Sequence, residues 1–436
     1  MRASLYQGLS LDQAPPISVP FSFYLVGALM GIVSGIVAGY VPDLRDRWNP
    51  LMMVLAHSYL VGFIGFVMIG SLFQMLPVVA GVTVRNPVLH AAILLILLSL
   101  GVVGLMAGLP PLNWSGWREI VIALFAALTY FLLLFFARLR QVNSSAPAVL
   151  GMKLAGVSLF CVMVLGTVFV FAFSGLLPIS GFRPLLTDAH LSWGVAGWMG
   201  FLIQGVLCQV IPMFFVTPPF SKQLIRGQMR VLFFALTAKT FLVLFGLLNA
   251  VLLMMLDLLL YGSLLFGASY SLRLSFRRKR KVRDLSLALI RFGLGSVIAA
   301  IPLLFWAETP VWNELAFQVI VLFGVTSIVL GMLFKIIPFL VWFHLQAQAM
   351  NALLSGKNVA IPTMKEIVSD NTLRLQIVLH LTTLLGYVWG FWRGATQPLA
   401  VAVILSFSFL VWVIASSWWR YMSLSTGIQK TVFKHP

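Results

Sequence analysis

Long apolar runs, each broken by a short polar stretch, recur along this whole chain. Twelve of them are long enough to cross a bilayer, which takes roughly 20 helical residues at about 1.5 Å of rise each. Their limits read as 21–40, 52–80, 88–109, 117–137, 152–175, 190–216, 229–248, 250–272, 288–306, 314–345, 373–391 and 398–420. The second, sixth and tenth exceed 25 residues, so those helices must tilt or project beyond the hydrocarbon. The pattern predicts an all-α polytopic membrane protein: a polar segment over 1–20, one twelve-helix domain over 21–420 and a tail over 421–436. Residues 1–20 hold Pro15 and Pro16 and, apart from Arg2, no basic residue. The first run therefore reads as an uncleaved anchor rather than a secretory signal. The longest connection, 346–372, is expected to carry a short surface helix near Met364–Val368.

Composition narrows the classes. Of 436 residues, 61% are apolar and 9% charged, against about 25% charged in an ordinary soluble domain. A soluble globule, a disordered chain and a disulfide scaffold are excluded. Cys161 and Cys208 fall inside spans without CxxC spacing and are expected to pack as small hydrophobes. Gly-x-Ser-x-Gly, Walker and HExxH patterns are missing. The net charge is +18, and its placement decides its meaning. With the N-terminus in the cytoplasm, 22 of the 29 Lys and Arg fall in cytoplasmic segments and five in outer ones, while Lys239 and Lys335 lie within spans. That asymmetry predicts cytoplasmic termini and a bacterial inner (cytoplasmic) membrane protein. It assigns the run Arg277-Arg278-Lys279-Arg280-Lys281 to topology and anionic headgroups, with no nucleic-acid partner expected.

A repeat is superimposed on the spans. The second reads His57, Gly62, Phe66, Gly70, Gln74, Pro77; the sixth reads His190, Gly197, Phe201, Gly205, Gln209, Pro212. From glycine to proline the spacings agree at every position; the histidines precede the prolines by 20 and 22 residues. The tenth keeps Gly324, Gly331 and Pro338, with Lys335 at the glutamine position and Glu314 and Gln318 in the histidine region. Twelve spans thus divide into three pseudo-repeats of four, about 21–137, 152–272 and 288–420. Glycines seven or eight apart share nearly one helix face, where a neighbouring backbone or a flat cofactor can approach closely.

Three arcs of four helices, with histidines on the second and sixth, resemble the subunit I superfamily of heme-copper oxygen and nitric-oxide reductases. The NnrS-type membrane proteins are a similar comparison. Trp48-Asn49-Pro50 through His57-Ser58-Tyr59 resembles that superfamily's approach to helix two, whose histidine is an axial heme ligand. Asp188-Ala189-His190 stands where its helix six carries a copper-ligand histidine. The architectural likeness covers nearly the whole chain; the likeness in residues covers mainly helices two, six and ten. It implies heme b and copper as cofactors, with His57 and His190 as ligands, and a respiratory-chain partner. The chain departs from the pattern in lacking the histidine pair of helix seven and any His-Tyr arrangement near His190, and in having only His344, at the inner end, on its tenth span. What the resemblance then leaves is one heme on His57 with its partner unidentified, or no cofactor.

Taken residue by residue, two readings stand for each candidate. His57 lies about five residues into its span, where ionisable groups are rare and usually functional, so heme or metal ligation and a hydrogen-bonded structural role both fit. His190 opens its helix at the outer surface beside Asp188, as a ligand or an interfacial residue. His380, seven residues into the eleventh span, is a candidate second axial ligand. His90 and His344 sit at cytoplasmic ends, where solvated or headgroup roles are expected, and His435 lies in the tail. Lys239 is ten residues before Asn249 and Asp257 eight after it, so an antiparallel hairpin brings them to one depth, where they should pair as a structural ion pair or a proton-path element. Lys335 either snorkels to the inner headgroups or joins Gln74 and Gln209 in a polar lining. The favoured function is a heme- and/or copper-binding, redox- or respiration-linked membrane protein, whether or not it is an enzyme. The alternatives are a cofactor-handling assembly subunit and a transporter or channel whose path is lined by Lys239, Asp257, Gln74, Gln209 and Lys335.

Overall fold

The computed structural model describes residues 14–109, 115–178, 181, 183–247, 249–279, 282–306 and 310–433. Arg2, Arg280, Lys281, Lys434 and His435, and the side chain of Lys430, lie outside the described residues. Among the described residues there are twelve helices long and apolar enough to cross a membrane, and no strand. They are α1 (Ser18–Ala38), α2 (Pro50–Ala80), α3 (Pro87–Gly108), α4 (Trp117–Leu139), α5 (Pro147–Phe173), α6 (Arg183–Phe215), α7 (Lys222–Leu244), α8 (Ala250–Phe276), α9 (Leu285–Phe305), α10 (Val311–Leu354), α11 (Asp370–Arg393) and α12 (Gln397–Gln429). The protein is an all-α polytopic membrane protein. Leu133, Leu258 and Leu385 are each more than three-fifths exposed, as side chains facing lipid are.

Hydropathy locates each helix but not its ends. α6 begins at Arg183 and α7 at Lys222, seven residues before each expected start. α10 runs nine residues past its expected end. A polar turn continues a helix beyond the hydrocarbon at little cost, whereas the start is fixed by whichever residue can answer the first free N–H groups. Asn49 caps α2, accepting from Leu51 N at 3.0 Å ahead of Pro50; Asn249 caps α8 through Leu252 N, 3.0 Å; Ser369 caps α11 through Thr372 N, 3.2 Å. Gly246 and Gly394, at φ +67° and +73°, follow the ends of α7 and α11, in a conformation that a Cβ disfavours. The expected surface helix is present as Met364–Ile367, closed by a capping box between Thr363 and Glu366.

The chain forms two compact units. The first comprises Met1–Ala127, Asp284–Ile290 and Thr326–Pro436. Within it α1 packs along α2 and α12, and α12 also carries α11 and the later part of α10. The second comprises Leu128–Arg283 and Arg291–Val325. Within it α5 packs on α6 and α7 on α8.

The repeat has a backbone counterpart. α2, α6 and α10 each open into a wider π-helical stretch, at Ser58–Gly65, Trp193–Met199 and Ile320–Val325. Measured back from Pro77, Pro212 and Pro338, these begin 19, 19 and 18 residues upstream. π-turns are rare and cluster at functional sites; these three lie at nearly the same offset from their prolines. A fourth, Leu76–Ala80, surrounds Pro77 itself.

The repeat glycines are contact points with the preceding helix. A Cβ on Gly62 would lie 3.0 Å from Met30, and one on Gly70 2.4 Å from Phe23, both in α1. On Gly197 it would lie 2.8 Å from Ser158, and on Gly205 3.2 Å from the Ala148 carbonyl, both in α5. On Gly324 it would lie 2.6 Å from Val297, and on Gly331 2.7 Å from the Ser286 carbonyl, both in α9. Of the two expected occupants of this face, a neighbouring helix takes the place and a flat cofactor does not. Gly331→Ala should therefore destabilise the protein by about 1–3 kcal/mol, since backbone cannot yield. Gly262→Ala, where a Cβ meets nothing within 4 Å, should be neutral or stabilising by up to about 1 kcal/mol. Unfolding midpoints of the two variants in one detergent compare them directly.

Candidate functional site

His57 ends the α-helical first part of α2, one residue before the π-stretch, and is half-buried. Its Nδ1 lies 2.8 Å from the Met53 carbonyl. A carbonyl only accepts, so Nδ1 carries the proton and Nε2 holds the in-plane lone pair. That second bond, which fixes ring and tautomer, is the usual support of a ligating histidine.

His190 does not open its helix. α6 starts at Arg183, so His190 sits two turns inside, three residues before the π-stretch, with Phe169 of α5 edge-on at 5.7 Å. His380 is buried, with Nε2 2.8 Å from Ser327 Oγ of α10. A ligand role at that nitrogen would require breaking this bond. Among the described residues, no three His, Cys, Asp or Glu side chains gather as a metal site. Cys161 and Cys208 are free thiols; Cys208 Sγ accepts from Gln204 Nε2 at 3.8 Å.

Hydroxyl groups missed by sequence reasoning tie the first unit together near its π-stretches. Ser34 Oγ donates to Ser58 Oγ at 3.0 Å, Tyr59 Oη and Thr326 Oγ1 bond at 2.8 Å, and Ser327 engages His380. Ser58 and Tyr59 belong to the π-stretch of α2, and Thr326 follows that of α10. Their signal was available only as polar residues inside apolar runs. Serine and threonine in such runs also bond their own preceding turn, as Ser34 does to Met30 O, and so do not single themselves out.

The three positions before the repeat prolines fare differently. Gln74 is buried with neither polar atom hydrogen-bonded among the described residues, and Gln209 is half-buried. Lys335 Nζ bonds Asp284 Oδ2 at 2.7 Å. Asp284 in turn caps α9, accepting from Ser286 N at 3.1 Å and Leu287 N at 3.3 Å. Burial alone would raise the Asp284 carboxyl, but hydrogen bonds from Lys335 and Ser286, the lysine charge and the Leu287 N–H hold it below the usual carboxylate range. In the second unit Lys239 and Asp257 form the ion pair their spacing predicted, joining α7 to α8. His344 is not solvated: its two ring nitrogens lie 2.9 Å from the Leu340 carbonyl and 3.1 Å from the Pro15 carbonyl.

Fold and side chains together define a polytopic helical membrane protein with a histidine at the head of a π-turn. No protein-family model and no curated protein matches the sequence.

Two stability measurements follow. Lys239→Met leaves a carboxylate facing lipid and should cost about 2–3 kcal/mol, most of it recovered when Asp257→Leu is added; unfolding of the single and double variants in detergent measures this. Asp284 titrates below its unfolded value of about 3.9. It thus contributes stability above that pH and loses it as pH falls through the folded value. Acid unfolding should therefore steepen below about pH 4 in the natural protein and less so in Asp284→Asn, as a detergent titration followed by circular dichroism would record.

Proposed function

We propose that this chain is a redox-linked membrane protein that holds one heme through His57, as a divergent relative of the heme-copper subunit I superfamily. The observation that carries the reading is the Nδ1 bond to Met53, which presents Nε2 as the basic nitrogen at the head of a π-turn. Heme supplies four of its own iron ligands and needs one or two from protein, so one oriented imidazole suits it. Copper needs several protein ligands, and no group of three such side chains lies together among the described residues; copper is left out of the reading. The repeat glycines are already filled by neighbouring helices, so the heme would lie at the histidine end rather than along the glycine face. His190, at the corresponding end of α6, is the candidate for a second cofactor contact.

Bound heme supplies one-electron chemistry. The chain's part is to hold the imidazole tautomer and to limit water around it, with Val54 and Ser58 buried beside half-buried His57. A bacterial inner membrane and a respiratory partner follow from this reading and from the distribution of basic residues. A second reading, solute transport, is favoured by the Lys239–Asp257 pair and the Gln74 amide within spans. Absorption spectra decide between them. Protein produced with ample heme should show a Soret band that is lost or shifted in His57→Ala and retained in Lys239→Met. A colourless natural protein, or a band indifferent to His57→Ala, would refute the heme reading.

A further inference from the structure

A groove of about 310 Å³ runs between α7 and α8, within the second unit. Leu224, Gln228 and Val231 wall it on one side, and Leu259, Gly262 and Phe266 on the other. Leu224, Val231, Leu259 and Phe266 are each at least 40% exposed, so the groove opens toward the bilayer. Gly262 gives it depth, since a Cβ there would meet nothing within 4 Å. Two bonds between the helices hold its walls in place. Gln228 Nε2 donates to the Ser263 carbonyl at 3.1 Å, and nearer the helix ends the Ser221 N–H donates to Tyr270 Oη at 3.2 Å. The Phe266 and Tyr270 rings stack, with centroids 5.9 Å apart.

The groove face of α8 ends in positive charge. Leu259, Gly262, Phe266, Tyr270, Arg273 and Arg277 follow one another at steps of three or four residues and so share one side of the helix. Arg273 stands seven residues beyond Phe266, about 10 Å along the axis. Arg273 is in the last turn of α8, Arg277 is its C-cap, and both are exposed. Between Lys222 and Lys279 the one acidic residue is Asp257, and Lys239 already pairs with it. An occupant of this groove therefore meets apolar wall along its length and unopposed cations at one end. A phospholipid with a net negative charge has that sequence of chemistry, acyl chain and then phosphate. A zwitterionic lipid would fit the wall but bring no net charge to the arginines. A second copy of this chain, related by a two-fold axis along the membrane normal, would set the same arginines against each other.

We propose that the α7–α8 groove binds one anionic phospholipid, with an acyl chain laid along Gly262 and Phe266 and the phosphate held by Arg273 and Arg277. The guanidinium fork matches phosphate oxygens, so arginine suits the headgroup end. The site differs from the general attraction of basic segments to anionic headgroups, because the groove fixes where one lipid sits. The inference is independent of the heme reading: His57 belongs to the first unit, and lipid binding requires no cofactor.

The test uses the full chain in detergent, titrated with phosphatidylglycerol or with phosphatidylcholine of the same acyl chains. Native mass spectrometry counts the lipids each protein retains. The expected result is one phosphatidylglycerol held more tightly than any phosphatidylcholine. Arg273→Gln with Arg277→Gln should weaken it about 30-fold, at about fivefold per lost charge. Arg273→Lys with Arg277→Lys, which keeps both charges, should retain most of the binding. Gly262→Leu, which fills the groove and leaves both arginines, should weaken it as well. Lys222→Gln with Arg230→Gln removes two charges from other faces of α7 and should leave it as in the natural protein. Equal retention of the two lipids would overturn the proposal. So would binding that survives the paired Arg→Gln change or Gly262→Leu, binding lost equally in Lys222→Gln with Arg230→Gln, or a dimer formed in place of the lipid adduct.

Discussion

Six missing Cβ atoms set the geometry of this protein. Gly62 and Gly70, Gly197 and Gly205, and Gly324 and Gly331 each let the helix before them approach to a distance at which a Cβ would force the neighbour to shift. In a bilayer, helices gain nothing from burying apolar surface against one another rather than against lipid, so close packing has to supply the attraction. Repeating that contact three times, four spans apart, makes α1–α2, α5–α6 and α9–α10 equivalent pairs. It also explains why a cofactor cannot share the glycine face: the dispersion contacts that hold each pair would be forfeited.

The π-stretches of the same three helices contain the first glycine of each pair, Gly62, Gly197 and Gly324. A π-turn widens the helix by one residue and weakens its ladder locally, a cost that persists only where something else is gained. In the first unit the gain includes polar contacts reaching across helices: Ser58 to α1 and Tyr59 to α10. In α6 the π-stretch carries Trp193, whose Nε1 donates to Thr240 of α7 at 2.8 Å. These groups would be costly in lipid without partners, and the widened turn is what aims them. The histidines of α2 and α6 lie one and three residues ahead of these turns.

What the sequence made legible follows from range. Hydropathy located all twelve helices because a span is a local average over about 20 residues. Lys239 and Asp257 could be paired on paper because they are 18 residues apart across one turn, so antiparallel geometry fixes their depth. Lys335 and Asp284 are 51 apart and His344 and Pro15 are 329 apart; no local rule joins them. His190 was placed at a helix start because Arg183 and Asp188 interrupt the apolar run, although a polar turn is perfectly good helix. The glycine spacing announced close approach but not the identity of what approaches. The π-turns left no trace in hydropathy at all, since one extra residue in a turn changes geometry and not composition.

Three histidines in this chain show why composition alone cannot assign a role. His57 and His344 make the same local bond, Nδ1 to the carbonyl four residues back. That bond is local to the helix in both and does not by itself tell the two residues apart. The difference lies at Nε2. For His344 a second carbonyl stands there, that of Pro15. For His380 a hydroxyl stands there, able to donate or accept, so Nε2 is satisfied in either neutral tautomer. For His57 the local bond places the proton of the neutral ring on Nδ1. One residue type thus meets a backbone carbonyl in one place and a side-chain hydroxyl in another, which composition alone does not tell apart.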